Sequence, residues 1–304
     1  MVLKELIATA CSLRASDLHL EAGTPLVVRV KGELVTVGET LPGARLIEIG
    51  KELLGADAWN QFVARGSADV SIRIAGAQCR INVFRTVRGI AMAVRLLTSS
   101  VDSLRACNLH PDLRKLIDAR TGLIVVSGPT GSGKSTTLAA LIGELNASCA
   151  RNIITIESPL EYLFANRRSY IRQREVPTHS PSFEQAIIDA LRENPDVLVI
   201  TEMRTPEVMR LTLNAAETGQ LVLATMHSST CAEALSRISM AFSPEIQGSI
   251  LAQLADCLVG VVCQRLDFLA DYQLRVPRCE AVSYTHLDVY KRQEWRRAQK
   301  TRRV

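Results

Sequence analysis

The chain has 304 residues, enough for two domains with separate cores, and its hydrophobic fraction of 47% is ordinary for a soluble protein. No apolar run is long enough to span a bilayer, and charges interrupt the first twenty residues, which argues against a signal peptide. We therefore expect a protein without a transmembrane segment, located in the cytoplasm or on a membrane surface.

Charge and cysteine usage argue against two further classes. The net charge of +5 comes from residues 283–304, which hold seven Lys or Arg and two acidic residues, so the remainder balances at 29 of each sign. A neutral body gives weak support to DNA or RNA binding, and we expect no nucleic-acid partner. The eight cysteines are scattered without CxxC spacing, which favours reduced thiols over disulfides or a zinc site.

Residues 1–98 are predicted to form a small α+β domain. An amphipathic helix over residues 1–15 precedes a hairpin around Gly32, and a second helix spans about residues 44–64. Three strand-like runs follow, at Ala68–Ile74, Gln78–Phe84 and Ile90–Leu96. The mixed, polar residues 99–110 are interpreted as a linker.

Residues 111–282 alternate strands with helices, which is typical of an α/β domain with a parallel sheet. The predicted strands are Leu123–Ser127, Ile153–Glu157, Val197–Thr201 and Leu221–Thr225. The predicted helices are Thr136–Asn146, Phe183–Glu193, and one that is capped by Thr205, has Pro206 in its first turn and closes at Gly219.

A phosphate-binding motif joins the first of these strands to its helix. It runs Gly128-Pro129-Thr130-Gly131-Ser132-Gly133-Lys134-Ser135, with Thr136 following. Strand, glycine-rich turn and helix form the context that distinguishes a P-loop from an ordinary glycine-rich turn. We expect the loop and Thr136 to bind ATP, Lys134 to reach the β- and γ-phosphates, and Ser135 to hold Mg²⁺.

Polar side chains follow the other strands at their carboxyl ends, where open α/β sheets bind ligands. Glu157 and Glu161 could align or deprotonate a water, or could be ordinary surface acids. Glu202 occupies the Walker B position, which holds Mg²⁺ or its water. His227 could contact the γ-phosphate, although a lone histidine is more often structural.

Four arginines lie on adjacent strand segments of the first domain: Arg80, Arg85, Arg88 and Arg95. They could form a solvated basic face. Alternatively, some could act as arginine fingers on the ATP of a neighbouring subunit, which requires an oligomer.

Taken together, these blocks resemble the PilT family of type IV pilus retraction ATPases, within the type II/IV secretion ATPase superfamily. The matching segments cover most of the chain: ASDLHLEAG (Ala15–Gly23), RINVF (Arg80–Phe84), GPTGSGKSTTLAA (Gly128–Ala140), ITIESPLEY (Ile154–Tyr162), QREV (Gln173–Val176), ALRENPDVLVITEMR (Ala190–Arg204) and AETGQLVLATMHS (Ala216–Ser228).

The resemblance implies a homo-hexamer with a PAS-like N-terminal domain and a RecA-like P-loop ATPase domain. It implies that Glu161 is the general base, Glu202 the Walker B acid and His227 the histidine of the His box. Arginines would reach ATP from both domains: Arg80, Arg95 and Arg192. The four-cysteine zinc module of extension ATPases has no counterpart here, which favours a retraction motor in the cytoplasm, acting peripherally on an inner-membrane platform protein.

The chain departs from the family pattern at four positions: Ser158 and Thr205 replace aspartates, Gln220 replaces a histidine and Ile188 replaces an arginine. The departures keep three other functions open. These are a secretion or conjugation ATPase of the same superfamily, an accessory subunit that binds ATP without hydrolysing it, and a RecA-like DNA motor, which the neutral body disfavours.

The family pattern also ends at Val282. Further helices, including an AIRNL segment needed for retraction, would be expected there. Instead Ser283–Gln293 reads SYTHLDVYKRQ, which resembles a translated cloning or adaptor scar. We therefore expect residues 283–304 to be a non-native basic tail.

Overall fold

A computed structural model describes residues 2–30, 32–99, 101, 103–269, 274–283 and 286–290. The chain divides into two compact units, residues 1–99 and 100–304. No helix among the described residues combines the length and the apolar character needed to cross a membrane.

The N-terminal unit is a six-stranded antiparallel sheet with two helices. Along the sheet the strands follow the order β3-β2-β1-β6-β5-β4. The elements are α1 (Val2–Ser12), β1 (Asp17–Glu21), β2 (Pro25–Val30), β3 (Glu33–Thr40), α2 (Gly43–Arg65), β4 (Ser67–Ile74), β5 (Ala77–Thr86), β6 (Gly89–Leu96) and the short β7 (Thr98–Ser99).

One hydrophobic core holds this unit together. Ile7 of α1 and Phe62 of α2 are fully buried against alternate residues of the strands, such as Leu18, Leu20 and Ile81. The predicted hairpin and the three later strands are confirmed. The predicted long helix is also present, but Gly55, with φ of +69°, interrupts it.

The second unit is built on an eight-stranded sheet in the order β11-β9-β12-β13-β8-β14-β15-β16. The first six strands in this order, β11-β9-β12-β13-β8-β14, are parallel to one another, whereas β15 and β16 are antiparallel to their neighbours. The strands are β8 (Gly122–Ser127), β9 (Asn152–Glu157), the separate short β10 (Tyr162–Leu163), β11 (Tyr170–Glu175), β12 (Val197–Ile200), β13 (Leu221–Met226), β14 (Leu258–Leu269), β15 (Leu274–Ser283) and β16 (His286–Tyr290).

Helices cover both faces of this sheet, because successive strand residues point to opposite sides. Leu123 and Val125 face the core formed with α4 (Phe183–Leu191), α5 (Pro206–Glu217), α6 (Cys231–Met240) and α7 (Pro244–Cys257). Ile124 and Val126 face the core formed with α3 (Lys134–Ser148) and the 3-10 helix at Pro111–Asp118. An α/β fold is thus confirmed for this unit.

Two stretches hold more structure than the sequence interpretation gave them: the predicted linker and the predicted non-native tail. Leu104 and Leu109, within the predicted linker, are buried in the core on the α3 side, on either side of a 3-10 turn at Arg105–Cys107. In the predicted non-native tail, Ser283 ends β15 and residues 286–290 form β16. Residues 284–285 and 291–304 of that tail lie outside the described part of the chain.

Candidate nucleotide-binding site

The glycine-rich loop joins β8 to α3 and packs closely against β14. A Cβ atom on Gly128 would lie 2.1 Å from the carbonyl oxygen of Gln264, and one on Gly133 would lie 2.8 Å from the side-chain nitrogen of Gln264. Gly131 differs, because no heavy atom lies within 4 Å of its Cβ position and it lines the adjoining cavity. Two glycines therefore allow close packing, and the third faces open space.

Lys134 begins α3 and lies under the loop, nearly buried. Its Nζ donates hydrogen bonds of 2.9 Å to the carbonyl oxygens of Gly128 and Pro129. Burial lowers the pKa of this ammonium group, while the negative charges of Glu161 and Glu202 oppose that shift. The negative charges of both predicted acidic residues therefore act on Lys134.

A cavity of about 170 Å³ opens beside the loop at the carboxyl end of the sheet. It brings together eight of the candidate residues named from the sequence: Thr130, Gly131, Lys134, Ser135, Glu157, Glu161, Glu202 and His227. One part of its wall is apolar, with Leu138, Ile142 and Phe164. The polar groups converge because β8, β9, β12 and β13 are parallel and adjacent, so their carboxyl ends share one edge.

Glu202 and His227 meet across the ends of β12 and β13. His227 Nε2 lies 3.5 Å from Glu202 Oε1, and Arg204 forms an ion pair with the same carboxylate oxygen. Arg237 of α6 donates a hydrogen bond to the main-chain carbonyl of His227. His227 is thus held at the cavity through its main-chain carbonyl, with its ring beside the Glu202 carboxylate.

Glu157 forms a buried network that the sequence pattern did not reveal. Its Oε1 accepts hydrogen bonds from Thr155 Oγ1 at 2.5 Å and from Gln173 Nε2 at 3.0 Å. Burial raises the pKa of this carboxyl group to about 7, although both hydrogen bonds act to lower it. Gln173 also donates to the carbonyl of Tyr162 at 2.9 Å and accepts from the N–H of Phe164 at 2.9 Å. It therefore ties Glu157 to the segment that follows Glu161.

Two further residues of the motif, Ser132 and Thr136, make hydrogen bonds within the loop or to the segment that follows Glu161. Ser132 N–H donates to the Pro129 carbonyl at 3.2 Å, and Thr136 Oγ1 lies 2.8 Å from the Tyr162 hydroxyl. Burial raises the pKa of that Tyr162 hydroxyl. The contact between Thr136 and Tyr162 joins α3 to the loop that carries Glu161.

The three predicted arginines are divided between the two units. Arg192 follows the end of α4, is 76% exposed at its side chain, and is not among the residues that line the cavity. Arg80 and Arg95 belong to the N-terminal unit, where they are directly opposite each other on β5 and β6. Arg95 Nε donates to Asp17 Oδ1 at 3.1 Å.

The four departures from the family pattern occupy different surroundings. Ser158 lines the cavity, while Ile188 is exposed on α4. Thr205 accepts a hydrogen bond from the N–H of Val208 and so caps α5. Gln220 precedes β13, whereas His227 follows it, so six residues of strand, roughly 20 Å, separate the two.

Comparison with known proteins extends these observations. The model of the family described as type II/IV secretion system protein matches residues 1–296. The chain is 34% identical over 268 residues to the type IV pilus retractation ATPase PilT of Pseudomonas aeruginosa, covering 88% of this chain and 78% of that protein. It is 38% identical over 268 residues to the uncharacterized protein YggR of Escherichia coli K12, covering 88% and 82%. A crystal structure of the pilus retraction motor PilT with bound ADP superposes with a TM-score of 0.86 at 35% identity, covering 92% of this chain and 82% of that one.

The parallel sheet, the glycine-rich loop and the acids at the strand ends define a P-loop protein of the α/β class. With the family match over residues 1–296 and the similarity to PilT over most of both chains, the chain belongs to the type II/IV secretion system protein family, in its PilT group.

Proposed function

We propose that this chain is a motor ATPase that hydrolyses Mg·ATP to drive retraction of a type IV pilus. The observation that carries the proposal is the convergence of Lys134, Ser135, Glu161, Glu202 and His227 on one cavity. The PilT relatives, one of them with bound ADP, support both the nucleotide and the retraction activity.

The residues of the cavity fit Mg·ATP. Gly131 leaves open space at the loop, and the buried ammonium of Lys134 suits the β- and γ-phosphates. Mg²⁺ prefers oxygen ligands and usually binds through one or two carboxylates together with substrate phosphates. The Ser135 hydroxyl and the Glu202 carboxylate would hold it, and the ion would neutralise phosphate charge.

In this proposal Glu161 aligns the attacking water and accepts its proton, while Lys134 offsets the charge that develops on the phosphate oxygens. Gln173 and Tyr162 hold the segment that carries Glu161, through the contacts described above. His227, beside Glu202, would contact the γ-phosphate or detect its loss.

We further propose a homo-hexamer in the cytoplasm that works against an inner-membrane platform protein. The N-terminal sheet with its two helices would be the PAS-like domain, and the second unit the RecA-like domain. Arg80, Arg95 and Arg192 would then act at ATP, those of the N-terminal domain across a subunit boundary. The side chain of Arg192 is 76% exposed and pairs with Asp189 at 4.0 Å, so its guanidinium could exchange this partner for a phosphate.

Steady-state ATP turnover tests the assignment of the P-loop. Lys134→Ala should reduce kcat by about 100-fold or more, because the buried cation is lost. Lys115→Ala, which removes a surface lysine of the same unit that pairs with Asp112, is the matched control and should keep wild-type turnover. Equal turnover in the wild type and Lys134→Ala would contradict the proposal.

A second candidate function is an accessory subunit that binds ATP without hydrolysing it. Ser158 favours it, because this residue lies in the cavity wall where the family carries an aspartate. Binding of ATP by the wild-type chain without release of phosphate would support that role. A secretion or conjugation ATPase would instead be identified by the platform protein with which the chain co-purifies.

A further inference from the structure

Gln264 is a buried amide of β14, between buried Cys263 and exposed Arg265, and it contacts the P-loop. Its Nε2 donates to the carbonyl oxygen of Ser132 at 2.7 Å, and its Oε1 accepts from Thr137 Oγ1 at 2.6 Å. Gln264 is 4% exposed, and Thr137 is fully buried. We propose that Gln264 is a positioning residue that sets the conformation of the P-loop for nucleotide binding.

The bond to Ser132 orients a peptide group of the loop. In a trans peptide the carbonyl oxygen and the following N–H point in opposite directions. Because the Ser132 carbonyl points at Gln264, the N–H of Gly133 points away from β14. Backbone N–H groups are the donors with which such loops bind phosphate. Gln264 therefore fixes the direction of one of these donors.

The packing of Gly128 and Gly133 against Gln264 supports the same role. The main-chain oxygen of Gln264 approaches Gly128, and its side-chain nitrogen approaches Gly133, at distances that leave no room for a Cβ atom. Gln264 thus contacts both ends of the loop, while its bond to Thr137 ties it to the first turn of α3. Loop, helix and β14 are locked together through one side chain.

Both a donor and an acceptor are needed at this position. The Ser132 carbonyl can only accept, and the Thr137 hydroxyl donates to Oε1 while Nε2 serves Ser132. The Cys279 thiol is a further, weak donor to Oε1 at 3.8 Å. A methionine would fill the space without either bond. A glutamate could replace glutamine only while it is protonated, because an ionised carboxylate has no donor.

This requirement gives a test that a purely structural role would not satisfy. The dissociation constant of Mg·ADP is measured at pH 6 and pH 8 for the full chain and for Gln264→Glu, Gln264→Met and the surface control Gln61→Glu. Burial should raise the pKa of the introduced carboxyl, so that it is neutral at pH 6 and ionised at pH 8. We expect Gln264→Glu to bind about tenfold more weakly at pH 8 than at pH 6, relative to the wild type. Gln264→Met should bind weakly at both pH values, and Gln61→Glu should follow the wild type.

The inference rests on the proposed nucleotide site, but the two fail differently. A wild-type chain that does not bind Mg·ADP overturns the proposed function. If Gln264→Glu and Gln264→Met both bind Mg·ADP as tightly as the wild type at pH 6 and pH 8, the role of Gln264 is overturned and the proposed function stands. The role is also overturned if Gln264→Glu weakens binding by the same factor at both pH values. If the Gln264 variants do not fold, Thr137→Val and Thr137→Ser decide. Weakened binding in Thr137→Val that Thr137→Ser restores supports the role, and equal binding in both overturns it.

Discussion

Glu157 shows how a single buried carboxyl group links the site to pH. Its pKa is raised from 4.5 to about 7, so the folded protein favours the neutral acid while the unfolded chain ionises more readily. Any stability that depends on this neutral form is complete below pH 4.5 and is lost as the pH rises through 7. The folded protein therefore loses stability on the alkaline side.

Replacing this carboxyl by an amide should remove the pH dependence. Between pH 5 and pH 8 the wild type should lose about 2 kcal/mol or more of unfolding free energy relative to Glu157→Gln. Urea unfolding followed by circular dichroism at the two pH values measures this difference. Glu39→Gln, at an exposed glutamate, should show the pH dependence of the wild type. If Glu157→Gln and the wild type change in parallel with pH, Glu157 is ionised at both values and its neutral form contributes nothing.

At the scale of residues, the sequence predicts a functional site where the function requires a fixed motif of consecutive residues. The P-loop could be located because its glycines, Lys134 and Ser135 are consecutive. Gln173 and Gln264 could not be assigned, since their partners are distant in the chain and become neighbours only when the sheet forms. One signal was available: Gln264 directly follows the apolar run Leu258–Cys263, and a glutamine that is buried with such a run has to find polar partners.

At the scale of elements, helix α5 shows a departure from the family pattern that the fold tolerates. Thr205 lies where the family carries an aspartate, and its hydroxyl caps the helix by accepting from Val208 N–H at 3.2 Å. The same hydroxyl donates to Glu184 Oε1 at 2.9 Å and so connects α5 to α4. Threonine thus replaces the capping function of an aspartate and adds a bond that an ionised aspartate could not donate.

Removal of this cap should destabilise the protein measurably. Thr205→Ala should lower the free energy of unfolding by about 1 kcal/mol, because the N–H of Val208 and the carboxylate of Glu184 lose a shared partner. Thr205→Ser keeps the hydroxyl and should remain within a few tenths of a kcal/mol of the wild type. Denaturant midpoints of the three proteins provide the measurement. A loss in Thr205→Ser equal to that in Thr205→Ala would assign the effect to the missing methyl group and contradict the capping account.

The four parallel strands that the sequence predicted are those with a continuous run of apolar residues. The four predicted parallel strands are fully or almost fully buried, so their composition is continuous and easily recognised. Strand β11 was missed because it lies at the sheet edge and reads Tyr-Ile-Arg-Gln-Arg-Glu, with only Ile171 and Glu175 buried. Arginines on an edge strand discourage pairing with another chain, and they also hide the strand from a hydrophobic pattern.

At the scale of the whole molecule, the proposed hexamer makes catalysis a shared property of subunits. Arg95 pairs with Asp17 in its own sheet, and Arg80 lies directly opposite it on β5. If these arginines act on a neighbouring subunit's ATP, a chain that lacks Arg95 can still supply a working P-loop. Conversely, a chain that lacks Lys134 can still supply its arginines.

Mixing the two defective chains tests this division. Arg95→Ala and Lys134→Ala should each be nearly inactive, and a mixture reassembled from separated subunits should regain part of the wild-type turnover. Activity would come from interfaces where an intact P-loop meets an intact Arg95. Arg65→Ala, at an exposed arginine of the same unit, should stay active alone and serves as the control. A mixture no more active than the mean of its components would place Arg95 outside the neighbouring site.

The central claim is that the cavity beside the P-loop hydrolyses ATP, and turnover by the purified chain tests it most directly. The wild type is measured beside Glu161→Gln and Glu202→Gln, with the oligomeric state of each recorded. The account predicts phosphate release by a wild-type hexamer and loss of about 100-fold or more in both variants, while both still assemble. A wild-type hexamer that binds ATP but releases no phosphate, or variants that turn over as fast as the wild type, would contradict it.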